Sequence, residues 1–373
     1  MPPLPAPLAE PAFPDHAQVK TVAMLPSSLP PLPTPPALPL LPSPHLLFLG
    51  DISEPGYAKT AFGLRDWAPQ RCIGEFRCAG GTVSAGLPAM TPQQAAARGA
   101  RSLVIGVANA GGVIPESWIE PLLQALHAGL DIISGMHVRI ASIARLREAA
   151  DALGRQLIDV RVPPPGIAVA TGAPRSGKRL LTMGTDCALG KKYTALALAR
   201  AFAERGVDVD FRASGQTGIL IAGRGMPMDA VVSDFAAGAA EMLSPAAAED
   251  HWDVIEGQGS LFHPAYAGVA LALLHGSQPD VVVICHQPGR RHMLGYPAYP
   301  LPSIEDTIAL ALQLGQRTRA GIRCGGVSLD TSQLDPASAA ALLDSESQRL
   351  GCAVADPMRG GPAFEQLLRQ CLG

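Results

Sequence analysis

Residues 178–206 constrain this chain more than any other stretch. K-R-L-L-T-M-G-T (178–185) has the apolar run of a buried strand, D-C-A-L-G-K (186–191) is a glycine-containing loop, and 191–206 has helical spacing and stops at Gly206. Strand, glycine loop and helix in that order are the context of a phosphate-binding loop. Successive backbone amides and the positive end of the helix hold an anion there, with Lys191 reaching over it. Gly184, Thr185, Asp186, Cys187 and Ala188, followed by Leu189, Gly190, Lys191 and Lys192, are the expected contacts. The departure lies at Lys192. In G-x-x-x-x-G-K-[ST] the residue after the lysine offers a hydroxyl to the Mg²⁺ of a nucleotide triphosphate. A second lysine there either adds positive charge to the site or is solvated in the first turn. Thr194 lies about 200° further round the helix than Lys192, so its hydroxyl should face away from the phosphate. Cys187 reads as a loop-filling residue, because no partner base is legible that would make it an acyl-carrying nucleophile.

The other segments place this loop within a larger α/β chain. At 373 residues and 47% hydrophobic content, the chain can bury two domains of roughly 100–200 residues each. Between 45 and 162, H-L-L-F-L-G-D, S-L-V-I-G-V-A-N, L-D-I-I-S-G-M-H and Q-L-I-D-V-R-V are strand candidates, and helical spacing recurs at 115–129 and 142–154. This is the alternation of a parallel α/β fold. We therefore expect a Rossmann-like N-terminal domain over 45–162, a proline-rich linker over 163–177 and a P-loop NTPase-like domain over 178–373, both with parallel sheets. Asp51, Asn109, His137 and Arg161 would share the ligand-binding rim of the first sheet. A-N-A-G-G (108–112) is either an anion-binding turn or a plain tight turn, and His137 and Asp51 could equally be strand-end caps. Residues 1–44 repeat proline too often for helix or internal strand and should be an extended, mobile tail.

Three further strand ends fall beside the loop. V-D-V-D-F-R-A-S-G-Q-T-G (207–218) offers Arg212, Ser214, Gln216 and Thr217, which could hold a carboxylate or phosphate. H-W-D-V-I-E-G-Q-G-S-L-F-H-P (251–264) ends a strand at Glu256 and continues to Gln258 and His263. D-V-V-V-I-C-H-Q-P-G-R-R-H-M (280–293) ends at His286, Arg290, Arg291 and His292. A formal charge of −3 gives no reason to expect a nucleic acid or a membrane surface as partner, so small ligands are expected. Seven cysteines without a C-x-x-C pair indicate neither a disulfide framework nor a zinc knuckle. No apolar run reaches the roughly 18 residues of a membrane span, and no secretory signal opens the chain. The chain reads as cytoplasmic, with a homo-oligomer left open.

G-T-D-C-A-L-G-K, F-R-A-S-G and I-E-G-Q-G resemble segments of dethiobiotin synthetase, an ATP-dependent ligase of the phosphate-loop class. A longer resemblance runs from Leu46 onward through A-K-T-A-F-G-L-R-D-W, G-V-A-N-A-G-G, F-R-A-S-G-Q-T-G-I-L-I-A-G-R-G, I-E-G-Q-G-S-L-F-H-P and L-L-H-G-S-Q-P-D-V-V-V-I-C-H-Q-P. These segments are similar to a two-domain family whose characterised member is D-glutamate N-acetyltransferase and which also lacks Ser or Thr after the loop lysine. The resemblance implies acetyl transfer from acetyl-CoA to D-glutamate or a similar acidic amino acid, with no metal required. Coenzyme A brings phosphates but needs no metal for aminolysis, which accounts for the missing hydroxyl. Amide formation needs a base: Glu256 is the first candidate, with His292 and His263 as alternatives. Arg212, Arg290 or Arg291 could hold the acceptor carboxylates, with Gln216, Gln258 and Asn109 as further polar contacts. The alternatives are an ATP- and Mg²⁺-dependent ligase and a nucleotide-binding switch, the latter disfavoured by the missing hydroxyl.

Overall fold

Short apolar strands divided by helices form two parallel sheets. The structure, a computed structural model, describes residues 38–373. The first sheet contains β1 (His45–Gly50), β2 (Cys72–Arg77), β3 (Ser102–Ile105), β4 (Asp131–Ser134) and β5 (Leu157–Asp159), ordered β2-β1-β3-β4-β5. Four helices connect them: α1 (Lys59–Trp67), α2 (Pro92–Ala97), α3 (Ile119–His127) and α4 (Ala144–Leu153). Four of the strands lie within the segments expected from sequence. The edge strand β2 was not read, because C-I-G-E-F-R carries a glutamate in mid-strand. Glu75 is nevertheless buried, its carboxylate accepting from the amides of Ala85 at 2.7 Å and Leu87 at 3.3 Å.

The second sheet begins with β6 (Lys178–Gly184), and the phosphate loop leads into α5 (Lys191–Glu204). Next come β7 (Val209–Arg212), α6 (Gln216–Ala222), α7 (Ala236–Leu243), β8 (Trp252–Ile255), α8 (Ala267–Ser277) and β9 (Val281–His286). A hairpin of β10 (His292–Met293) and β11 (Tyr296–Pro300) precedes α9 (Ile304–Gly315), β12 (Arg323–Leu329), α10 (Pro336–Leu350), β13 (Val354–Ala355) and α11 (Gly361–Leu372). The sheet is ordered β13-β12-β9-β6-β8-β7, all parallel. β6 and β9 are almost wholly buried, as strands covered on both faces are. The chain builds first to one side of β6 and then to the other. That switch puts the loop after β6 at the crevice where open parallel sheets bind ligands, flanked by the ends of β8 and β9.

The two sheets belong to one compact unit. Leu47, Leu49, Val104 and Ile133 of the first sheet pack with Leu64 of α1 and, from the second half, with Leu196, Ile219 and Leu220. α5 and α6, which begin at the ligand rim, are thereby seated on the first sheet. Residues 163–177 carry no regular element, yet Arg175 donates to the carbonyls of Ser244 at 3.0 Å and Gly276 at 2.7 Å. The expectation of a mobile tail over 1–44 needs correction at its end. Residues 1–37 lie outside the described residues, but Leu41 is buried and its amide donates to Gly223 O at 2.7 Å, so 38–44 are part of the fold. Among the described residues no helix is long and apolar enough to cross a membrane.

Candidate active site

The loop is held from below by an ion pair. Asp186 is fully buried; its carboxylate accepts from Cys187 N at 2.6 Å, from Leu294 N of the hairpin at 2.8 Å and from Arg290 Nη1 at 2.9 Å. Arg290 also donates to the carbonyls of Cys187 at 2.8 Å and Ala188 at 3.2 Å and bonds the side chain of Gln287. Ala188 sits at φ +52°, a left-handed conformation disfavoured for alanine, so the guanidinium clamps backbone that would otherwise relax. Thr185 is fixed by His286, Oγ1 to Nδ1 at 2.9 Å, and its carbonyl accepts from Ser260 Oγ at 3.1 Å. Gly190 precedes α5 at φ +88° and caps it with no side chain, leaving the first amides of the helix for an anion. Lys191 is buried, donates from Nζ to Asp186 O at 2.6 Å, and has its pKa lowered, chiefly by desolvation.

Lys192 is not a solvated residue. It is partly buried, with Nζ 4.4 Å from the centroid of the Tyr193 ring. Burial lowers its pKa, the charge of Glu256 opposes this, and Lys59 of the first half adds to it. Glu256, at the end of β8, is 5% exposed and accepts at Oε2 from Ser214 N at 3.0 Å and Gly215 N at 3.1 Å. Burial raises its pKa; Lys192, the two amides and Lys191 pull the other way without cancelling it. Gln258 extends this cluster, its Nε2 donating to Ser214 Oγ at 2.9 Å. Gln216 opens α6 against Gly135 of the first half, where an added Cβ would lie 3.3 Å from its side chain. Thr194 does face away from the loop, bonding Ser328 Oγ of β12 at 2.8 Å.

Several charged candidates lie elsewhere. Arg212 turns back along the sheet, pairing with Asp253 at 2.6 Å and Asp210 at 3.0 Å, each two residues earlier on its strand. Arg290 is committed to the loop. Arg291 and His292 are exposed at the start of the hairpin that follows β9, whose Tyr296 packs on His263 with ring centroids 5.0 Å apart. His263 is buried, and its Nδ1 accepts from Ala265 N at 3.1 Å, so its proton resides on Nε2, which points at Asp186 from 3.7 Å without a hydrogen-bond partner. In that tautomer it donates and cannot serve as the base. Asn109 closes its own turn through Val113 N and O. Asp51 accepts from Trp118 Nε1 at 2.8 Å and Ser117 Oγ at 3.0 Å, so it acts as a strand-end cap. Arg161 bonds Gly135 O and pairs with Asp229, joining the two halves. Asp186, Cys187 and His263 bring ligand-type atoms within 4.8 Å of one another, but Arg290 already pairs with the Asp186 carboxylate and Lys191 Nζ sits on its backbone carbonyl, which disfavours a cation there. Lys59, whose charge bears on Lys192, was not singled out in the sequence, where it stands only as part of A-K-T-A-F-G-L-R-D-W.

Fold and loop together define an α/β protein in which a phosphate-loop half is joined to a Rossmann-like half, as the sequence indicated. Residues 168–368 match the P-loop domain, and residues 76–163 the Rossmann-like domain, of a family described as a domain of unknown function, DUF1611. The chain belongs to the DUF1611 family. It is 47% identical over 322 residues to a D-glutamate N-acetyltransferase of Tritonibacter scottomollicae, covering 86% of this chain and 97% of that one. A protein of the same name from a Pseudoalteromonas species is 45% identical over 318 residues, covering 85% of this chain and 96% of the relative. The crystal structure of a DUF1611 family protein from Anabaena variabilis superposes with a TM-score of 0.75 at 31% identity, covering 88% of this chain and 99% of that chain.

Proposed function

We propose that this chain transfers the acetyl group of acetyl-CoA to the amino group of D-glutamate. The names of its relatives support the reaction, and one observation supports the route. Where a nucleotide-hydrolysing loop carries its magnesium hydroxyl, this loop carries Lys192, whose charge bears on the buried carboxylate of Glu256. The acid beside the loop is thus balanced by a fixed ammonium group of the chain itself. A carboxylate that is buried, raised in pKa and held at one oxygen by two amides keeps its other oxygen for proton transfer.

In this reading the amides at the start of α5 and Lys191 bind coenzyme A phosphate. The neutral amine attacks the thioester carbonyl, Glu256 takes the proton the nitrogen sheds, the C–S bond breaks, and that proton passes from Glu256 to the departing thiolate, giving free coenzyme A and restoring the base. The test is purified protein with acetyl-CoA and a panel of D- and L-amino acids, following thiol release with and without EDTA. Release fastest with D-glutamate and unaffected by EDTA is expected. Equal or faster release with L-glutamate or neutral amino acids would remove the acceptor assignment. Activity that instead requires ATP and Mg²⁺ would establish a ligase.

A further inference from the structure

The acceptor carries two carboxylates, and of the arginines that sequence alone offered for them, Arg212 and Arg290 are held by carboxylates of the chain itself. The cations that bear on Glu256 are lysines. Lysine is scarce in this chain, five in all, yet Lys191 and Lys192 both bear on Glu256 and Lys59 bears on Lys192. Lys191 belongs to the loop. Lys192 and Lys59 form no ion pair and no side-chain hydrogen bond among the described residues, and they repel one another closely enough to perturb Lys192. Lys59 is exposed and opens α1, whose next residue reaches the second half: Thr60 Oγ1 lies 3.4 Å from Thr217 Oγ1 in the first turn of α6. α6 packs in turn on the carboxylate of Glu256, since a Cβ at Gly218 would run into Oε2. The N-terminal half thus brings an unpaired ammonium within electrostatic reach of Lys192, which in turn bears on the proposed base.

We infer that Lys59 is a specificity-determining residue, supplied by the Rossmann-like half, that binds the side-chain carboxylate of the acidic acceptor, with Lys192 as the second positive charge facing it. Two like charges held near one another, with Glu256 as the one carboxylate bearing on Lys192, leave a positive charge that favours the binding of an anion. This accounts for the shared core as well: α1 and α6 must keep a fixed relation for a lysine of one half to serve a base of the other. An acceptor without a side-chain carboxylate would leave Lys59 uncompensated, so the arrangement selects acidic acceptors by penalising the alternatives.

The inference rests on the proposed acetyl transfer for its meaning but is measurable by binding alone. Lys59→Ala, Lys59→Arg and Lys59→Glu would be compared with the unmodified protein for D-glutamate and D-glutamine binding by calorimetry, for KM of both and of acetyl-CoA, and for thermal midpoint. Because Lys59 is exposed and bonds nothing, all three variants should fold with an unchanged midpoint. Lys59→Ala should weaken D-glutamate about ten- to a hundredfold while leaving D-glutamine and acetyl-CoA unchanged. Lys59→Arg should recover most of the loss, and Lys59→Glu should erase the preference for glutamate over glutamine. An unchanged glutamate-to-glutamine ratio in Lys59→Ala, or equal weakening of both, overturns the inference whether or not acetyl transfer is observed. If the unmodified protein binds D-glutamate but transfers no acetyl group to it, the functional proposal falls and the binding comparison still decides the role of Lys59. If it does not bind D-glutamate at all, both fall together.

Discussion

Arg290→Met separates a residue that holds the loop from one that holds substrate. The side chain of Arg290 is 18% exposed and that of Asp186 is fully buried. Removing the guanidinium strands a buried carboxylate, and breaking such a pair costs about 3–5 kcal/mol. Asp186 keeps the amides of Cys187 and Leu294, and Arg290 is not wholly desolvated, so the lower end, about 3 kcal/mol, applies. For a large domain each kcal/mol lowers the midpoint by roughly 2 °C, giving a fall of about 6 °C by scanning calorimetry. Acetyl-CoA affinity should drop with it, because the carbonyls of Cys187 and Ala188 lose their clamp and the loop relaxes around Ala188. Arg290→Lys restores the charge but not the fork and should recover only part of both losses. A midpoint within 1 °C of the parent, together with a raised KM for D-glutamate alone, would refute this reasoning and return Arg290 to the substrate.

Lys191→Ala should weaken acetyl-CoA by on the order of 1.5–3 kcal/mol in calorimetry, through loss of a charge-assisted phosphate contact; unchanged affinity would show that the loop serves another ligand. For Glu256 the base is the deprotonated form, and burial raises its pKa against the pull of Lys192 and two amides. Activity should therefore fall as pH drops through a value above the ordinary carboxylate range, while Glu256→Gln should lose about 10²- to 10⁴-fold in rate and that acid limb with it. The same limb persisting in the residual activity of Glu256→Gln would assign the titration to another group. Gly257→Ala should cost about 1–3 kcal/mol or prevent folding, because a Cβ there meets the Thr182 carbonyl between the central strands. Gly268→Ala, at the start of α8 with open space around it, should be neutral or stabilising by about 0.5–1 kcal/mol, both read from urea midpoints.

Local order carried much of the sequence's information. The strand, loop and helix of 178–206 are set by contiguous apolar runs and one glycine, so β6, the loop and α5 were legible without any long-range contact. So were Lys192 at the hydroxyl position, the outward turn of Thr194 and the family itself, all of which depend on residue order alone. The parallel strands that were missed, β2, β12 and β13, lie toward the edges of their sheets or are broken by Glu75 or by Gly325 and Gly326, where periodicity fails and pairing decides; the hairpin of β10 and β11 was missed as well.

The destination of each charged side chain was decided by tertiary structure. Arg212, Arg290 and His263 looked alike in sequence, each a polar residue just beyond or at a strand end. The register of β7 on β8 gives Arg212 to Asp253, the crossing of the chain to β9 gives Arg290 to the loop, and a turn amide fixes the proton of His263 on the wrong nitrogen for a base. Lys59 shows the same limit from the other direction. It lies 133 positions before Lys192, and nothing in either segment reveals the other until α1 and α6 are buried in one core. The physical reason is that a backbone element is chosen by neighbours along the chain, whereas a charge is placed by whichever partner the packing of distant elements brings within a few ångströms.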